Sequence, residues 1–215
     1  MISGPPDLPE ELASLDDLHL VLDSGRQVAV RRYRAQLQPC PEKPPIALDR
    51  GYSAKPLVMV EKQVAFPEIA VLGLFRKMGW EGAWVDTPHH KYFDKMPNQS
   101  KGMSLGAHAG QTISRIAAYN ENSRVGCWDL VLWSERAVAF AAVVGESPRN
   151  SVSRDSASHG AAHPAPRDAG SLPRALGEAR TRWLAAAVKS GLTAAQFVVV
   201  EWDYRTVVAR RKRSG

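Results

Sequence analysis

Apolar and polar positions alternate from His19 to Arg34, with Leu20 and Leu22 before an Asp-Ser-Gly turn and Val28 and Val30 after it. A period of two on both sides of a turn predicts a β-hairpin. The seventeen residues before it read as a flexible or short helical lead-in, and the Pro-rich stretch 35–56 as a connector. Leu57 to Val64 reads as one further strand. The period then changes. Ile69, Leu72, Phe75 and Met78 recur at helical spacing after Phe66-Pro67-Glu68, where Pro suits the first helical position and an acid the first turn. Gly79 is placed to stop that helix. Gly82 to Asp86 predicts a strand, residues 88–106 a loop, and Thr112 to Tyr119 a second helix.

Two strands follow, Trp128 to Trp133 and Ala137 to Val144, joined by Ser134-Glu135-Arg136. From Gly145 to Pro173 the chain is built of Ser, Ala, Pro, Gly, Arg, Asp and His, with only Val152 and Leu172 as large aliphatics. So little apolar surface does not offset the entropy of ordering, so a loop is expected there. Arg174 to Lys189 reads as a helix ended by Gly191, and Phe197 to Trp202 as a closing strand. The expected class is α/β, a mixed sheet flanked by helices. Residues 1–65 form an N-terminal extension with the hairpin, 66–204 the main domain with 145–173 inserted, and 205–215 a basic tail.

Composition adds limits. The 215 residues are 44% hydrophobic and 23% charged, ordinary globular usage that excludes wholesale disorder. Lys plus Arg number 28 against 22 Asp plus Glu, so the net charge is 28 − 22 = +6. Four of those positive charges are Arg210, Arg211, Lys212 and Arg213, which leaves the body near neutral. Two cysteines, Cys40 and Cys127, are too few for a Cys-only zinc site or a disulfide framework. The acidic, Pro-rich start is unlike a signal peptide, and no apolar run has membrane-span length. A cytoplasmic protein with no membrane contact is expected. Glycine-rich phosphate loops and a nucleophile elbow are absent, which argues against nucleotide-dependent kinases and α/β-hydrolases.

Asp129 interrupts an apolar strand, and an ionised carboxylate there is costly unless paired or metal-bound. Sitting at the strand's exposed start, or facing solvent by alternation, is the plainer alternative. Glu68 lies in the first turn of the opening helix, where the helix dipole alone explains an acid. His159 and His163 are four apart but lie among Gly, Ala and Pro, and read as solvated. His89, His90 and Lys91 read as a polar loop able to meet phosphate. Arg31, Arg32, Tyr33 and Arg34 read as a solvated basic strand end.

Four pieces in order resemble the PD-(D/E)XK nuclease superfamily, closest to its VRR-NUC-like members. They are Phe66-Pro67-Glu68 with its helix, Gly126-Cys127-Trp128-Asp129-Leu130, Val138 to Val144, and Trp183-Leu184 with Phe197 to Trp202. The resemblance covers about two-thirds of the chain. It implies a restriction-endonuclease-like αβββαβ core, DNA as partner, and phosphodiester hydrolysis with Mg²⁺ or Mn²⁺. Asp129 and Glu68 would hold the metal. The family's Glu-x-Lys falls on Ala142, Val143 and Val144, which supply neither a metal ligand nor a cation. Impaired catalysis follows, with Glu146 as the substitute acid if activity survives, and no cofactor if it does not. Arg180 stands where the family carries Gln. Lys91, Arg149, Arg180, Arg211 and Lys212 are the expected nucleic-acid contacts. A module that binds a protein partner is the alternative role.

Overall fold

The computed structural model describes residues 11–40, 48, 50–145 and 176–205. Among these residues nine strands form one mixed sheet: β1 (Leu12–Val21), β2 (Gln27–Pro39), β3 (Val58–Val60), β4 (Gln63–Ala65), β5 (Glu81–Asp86), β6 (Lys91–Phe93), β7 (Leu130–Trp133), β8 (Val138–Gly145) and β9 (Phe197–Tyr204). Among the described residues three α-helices accompany it: α1 (Pro67–Lys77), α2 (Ala107–Ala118) and α3 (Glu178–Lys189). The sheet runs β4-β3-β2-β9-β8-β7-β5-β6, with β1 paired to β2. Only β2–β9 and β8–β9 are parallel. Thus β9 has a parallel neighbour on each side. Its Phe197-Val198-Val199-Val200 run is buried throughout, as a strand covered on both faces must be.

The two faces carry separate cores. On one, Ile113 and Ile116 of α2 and Trp183 and Leu184 of α3 pack with Val131, Phe140, Ala142, Phe197 and Val199. On the other, Val71, Leu72 and Phe75 of α1 pack with Leu130, Leu132, Ala141, Val198 and Val200. Successive strand residues divide between the faces, which is the period-two rule at work. Among the described residues, no helix is long and apolar enough to cross a membrane.

The N-terminal segment departs from expectation. The hairpin is present, but β1 begins at Leu12, inside the presumed lead-in. A register shift between Leu15 and Leu18 breaks its alternation and hides the strand from a period-two reading. β2 continues to Pro39, into the presumed connector. Its alternation changes phase near Arg32, so Val28 and Val30 enter one core while Tyr33, Ala35 and Leu37 enter the other. Leu57 to Val64 is not one strand. Glu61 and Lys62 both have positive φ (48° and 69°), making a two-residue hairpin between β3 and β4. The loop expected over 88–106 contains the short β6. The strand from Phe197 and the helix ending at Lys189 are present, while the stretch expected as a loop lies outside the described residues beyond Gly145. Because β2 pairs with β9, the N-terminal strands β1 to β4 belong to the same sheet as the rest.

Gly126 sets the approach of α3 to the start of β7. It has φ +83°, and a Cβ there would overlap the Ala179 carbonyl. Trp128, fully buried, donates its Nε1–H to the Arg180 carbonyl at 3.2 Å. Gly126→Ala combines a left-handed backbone with a steric clash, and should cost about 2–4 kcal/mol. Thermal unfolding should report a lower midpoint in a variant that still unfolds cooperatively.

Candidate functional site

Asp129 is the residue immediately before β7. Its carbonyl accepts the Val85 N–H at 2.7 Å, so the backbone is held at the edge of the β5–β7 pairing. The carboxylate is 17% exposed. Its Oδ1 accepts a hydrogen bond from the Arg180 guanidinium at 2.6 Å, and its Oδ2 accepts the Val143 N–H at 2.8 Å. Arg180 stands in the first turn of α3, positioned by Trp128 and by the close approach that Gly126 permits.

Glu68 lies in the first turn of α1, after Pro67 at the first helical position. Its Oε1 is ion-paired with the Lys55 ammonium. Its Oε2 is buried with no hydrogen-bond partner among the described residues. The charges of Glu68 and Lys55 both act on Asp129, so the two acids and two bases form one electrostatic cluster. Lys55 comes from the turn after Tyr52, whose carbonyl accepts the Lys55 N–H at 3.0 Å. Its ammonium lies 4.8 Å from the Trp84 ring centroid and 5.4 Å from that of Phe66, a cation–π seat on both rings.

A second polar group adjoins this cluster through Trp84 and Phe66. Tyr52 packs against both rings and donates its O–H to Oδ2 of Asp86, which is 4% exposed. The same oxygen is 2.8 Å from His89 Nδ1. Buried Asp86 thereby fixes the orientation of the half-exposed His89 ring.

Burial raises the Asp129 carboxyl from 3.8 to about 6, and the Glu68 charge adds to the rise. Arg180, the Val143 N–H and Lys55 oppose it. Neighbouring Cys127 is buried, and its thiol is pushed up to about 12, outside the range of a useful nucleophile.

The sequence-derived residues fall into three groups. Glu68, Asp129 and Arg180 are brought together. Lys91 is exposed at the start of edge strand β6, opposite Asp86 in register. Glu146, Arg149, Arg211 and Lys212 lie outside the described residues, as do His159 and His163. Lys55, Tyr52 and Asp86 were not singled out from sequence. Lys55 and Tyr52 sit in a Pro-rich stretch without periodicity, and Asp86 reads simply as the polar end of a strand.

The donor set does not fit a divalent ion. Among the described residues no three His, Cys, Asp or Glu side chains are grouped to hold one. Strand β8, Val138 to Gly145, has no carboxylate on either face. Both acids already face cations, and a divalent ion about 4 Å from either cation would meet a repulsion of about 8 kcal/mol at an effective dielectric near 20, which offsets much of its attraction to the paired acid. No family model, curated protein or solved structure matches this chain.

The raised Asp129 pKa has a definite sign. Between about pH 4 and 6 the folded protein retains a proton that the unfolded chain releases, so stability from this group is present below pH 4 and lost as pH rises through 6. The full difference is roughly 3 kcal/mol. Urea unfolding at pH 4 and pH 7 should therefore show a smaller loss in Asp129→Asn than in the wild type.

Proposed function

We propose that this chain is a nuclease-like domain of the VRR-NUC type that binds nucleic acid and does not hydrolyse it. The observation that carries this reading is the convergence of Glu68 and Asp129 in one cluster in which each acid is paired with a basic side chain. The order α1, β5, β7, β8, α3, β9 supports it, with β6 and α2 inserted after β5. So does the antiparallel, antiparallel, parallel pairing along β5-β7-β8-β9, the succession of a restriction-endonuclease-like αβββαβ core. The apolar β8 and the ion-paired acids argue for binding without metal-dependent hydrolysis. Phosphate contacts would come from basic side chains such as Lys91 and the Arg210–Arg213 tail, whose counterion release makes affinity salt-dependent.

Binding to single-stranded, duplex and branched DNA should be measured from 50 to 200 mM salt, with cleavage followed in Mg²⁺ and in Mn²⁺. Three phosphate contacts on duplex DNA would weaken binding by roughly 40-fold across that range. No product should appear from the wild type or from Asp129→Asn. Absence of DNA binding at the lowest salt would favour a protein-interaction module instead. Metal-dependent cleavage lost in Asp129→Asn would identify an active nuclease.

A further inference from the structure

We propose that the β5–β6 turn carries a phosphoryl-acceptor site, in which buried Asp86 presents Nε2 of His89 as the nucleophile towards an N-phosphoryl donor. The site uses neither Glu68 nor Asp129 and does not depend on the nuclease-like reading. Asp86, Thr112 and Asn120 are the buried polar or charged side chains among the described residues. Thr112 donates to the His108 carbonyl, and Asn120 to the carbonyls of Ser123 and Val125, so both serve the local backbone. Asp86 instead meets two side chains, the Tyr52 hydroxyl and the His89 ring. A carboxylate oxygen that accepts the Tyr52 O–H accepts from the ring as well. Nδ1 of His89 therefore holds the proton, and Nε2 keeps the lone pair.

The ring is seated on one side and open on the other. Its centroid lies 5.5 Å from that of Tyr52. Gly51 lies beside its far edge, where a Cβ would come within 3.7 Å of Nε2 and glycine brings none. The His89 side chain stays 50% exposed although the carboxylate that orients it is 4% exposed. Charge favours an anionic reagent. Lys91 stands directly opposite Asp86 in the β5–β6 register, so the two side chains share one face of the sheet. Lys91 is exposed and forms no ion pair among the described residues, which leaves its ammonium able to draw a phosphoryl group to the turn.

In the step itself the Nε2 lone pair forms a bond to phosphorus. The donor's P–N bond breaks, and its electron pair leaves on the donor nitrogen. With phosphoramidate, whose nitrogen is protonated, the leaving group is ammonia. Nothing is oxidised or reduced. The ring gains a positive charge while its Nδ1–H stays in place. Asp86, 2.8 Å from Nδ1, stabilises that charge more than it stabilises the neutral ring, and so assists the transfer.

The test treats the full chain with phosphoramidate at about pH 8, where an imidazole is largely neutral. Site-resolved mass spectrometry follows His89 and His90, and phosphorus NMR identifies the nitrogen modified. His90 is exposed on the same turn and makes no side-chain hydrogen bond among the described residues, so it reports the unassisted rate. His89 should react at Nε2 about tenfold faster than His90, the rate equivalent of one charge-assisted hydrogen bond. Asp86→Asn should remove that advantage, and Lys91→Gln should slow His89 by about threefold. Equal rates at the two histidines of the wild type, or reaction of His89 at Nδ1, would overturn the proposal. So would an undiminished rate in a folded Asp86→Asn protein. Should that variant fail to unfold cooperatively, the wild-type rate ratio decides together with the tautomer of His89 read by nitrogen NMR. A faster His89 with its proton on Nδ1 supports the proposal, and a proton on Nε2 overturns it.

Discussion

Two carboxylates brought together and largely out of water need positive charge beside them, and the arrangement of this protein around α1, β7 and α3 follows from that need. An unpaired buried acid would protonate or destabilise the fold. Asp129 is answered by Arg180 from α3 and by a backbone N–H from β8. Glu68 is answered by Lys55 from the segment that precedes α1. Four separate parts of the chain therefore meet through charge at one place. The aromatic group of Tyr52, Phe66 and Trp84 is the apolar side of the same junction. It seats Lys55 and carries the Tyr52 hydroxyl to buried Asp86.

This junction also gives the N-terminal segment its part in the site. By pattern it resembles an appendage, yet β2 pairs with β9 at the centre of the sheet and the chain then runs on to deliver Lys55. Under the nuclease-like reading proposed above, the lysine expected on the strand after Asp129 is absent from β8, and the Lys55 cation enters instead from the segment before α1. Each acid of the resulting cluster is balanced by a cation of this chain.

The elements with regular periods were legible in the sequence. Helical spacing located α1, and apolar runs located β5, β8 and β9 within a residue or two. Asp129 stood out because an acid in an apolar strand needs a reason, and Glu68 because its helix resembles the first helix of the nuclease family. What escaped was set by tertiary context. A bulge in β1 and a phase change in β2 disguised both strands. Two positive-φ residues without glycine concealed the β3–β4 turn. Lys55 has no local signature, since its significance lies in Glu68 and in two rings from other elements. Arg180 stood out only as the residue where the resembled family carries Gln, inside a helix expected from Arg174. That its guanidinium reaches Asp129 depends on how closely α3 approaches β7, and a glycine and a tryptophan decide that distance.

The most direct measurement is anomalous diffraction from crystals grown in millimolar Mn²⁺. Charge balance by Lys55 and Arg180 predicts no anomalous peak between Asp129 and Glu68, with both cations still bonded to their acids. A peak there with Arg180 or Lys55 displaced would contradict it, and would mark the cluster as a working metal centre.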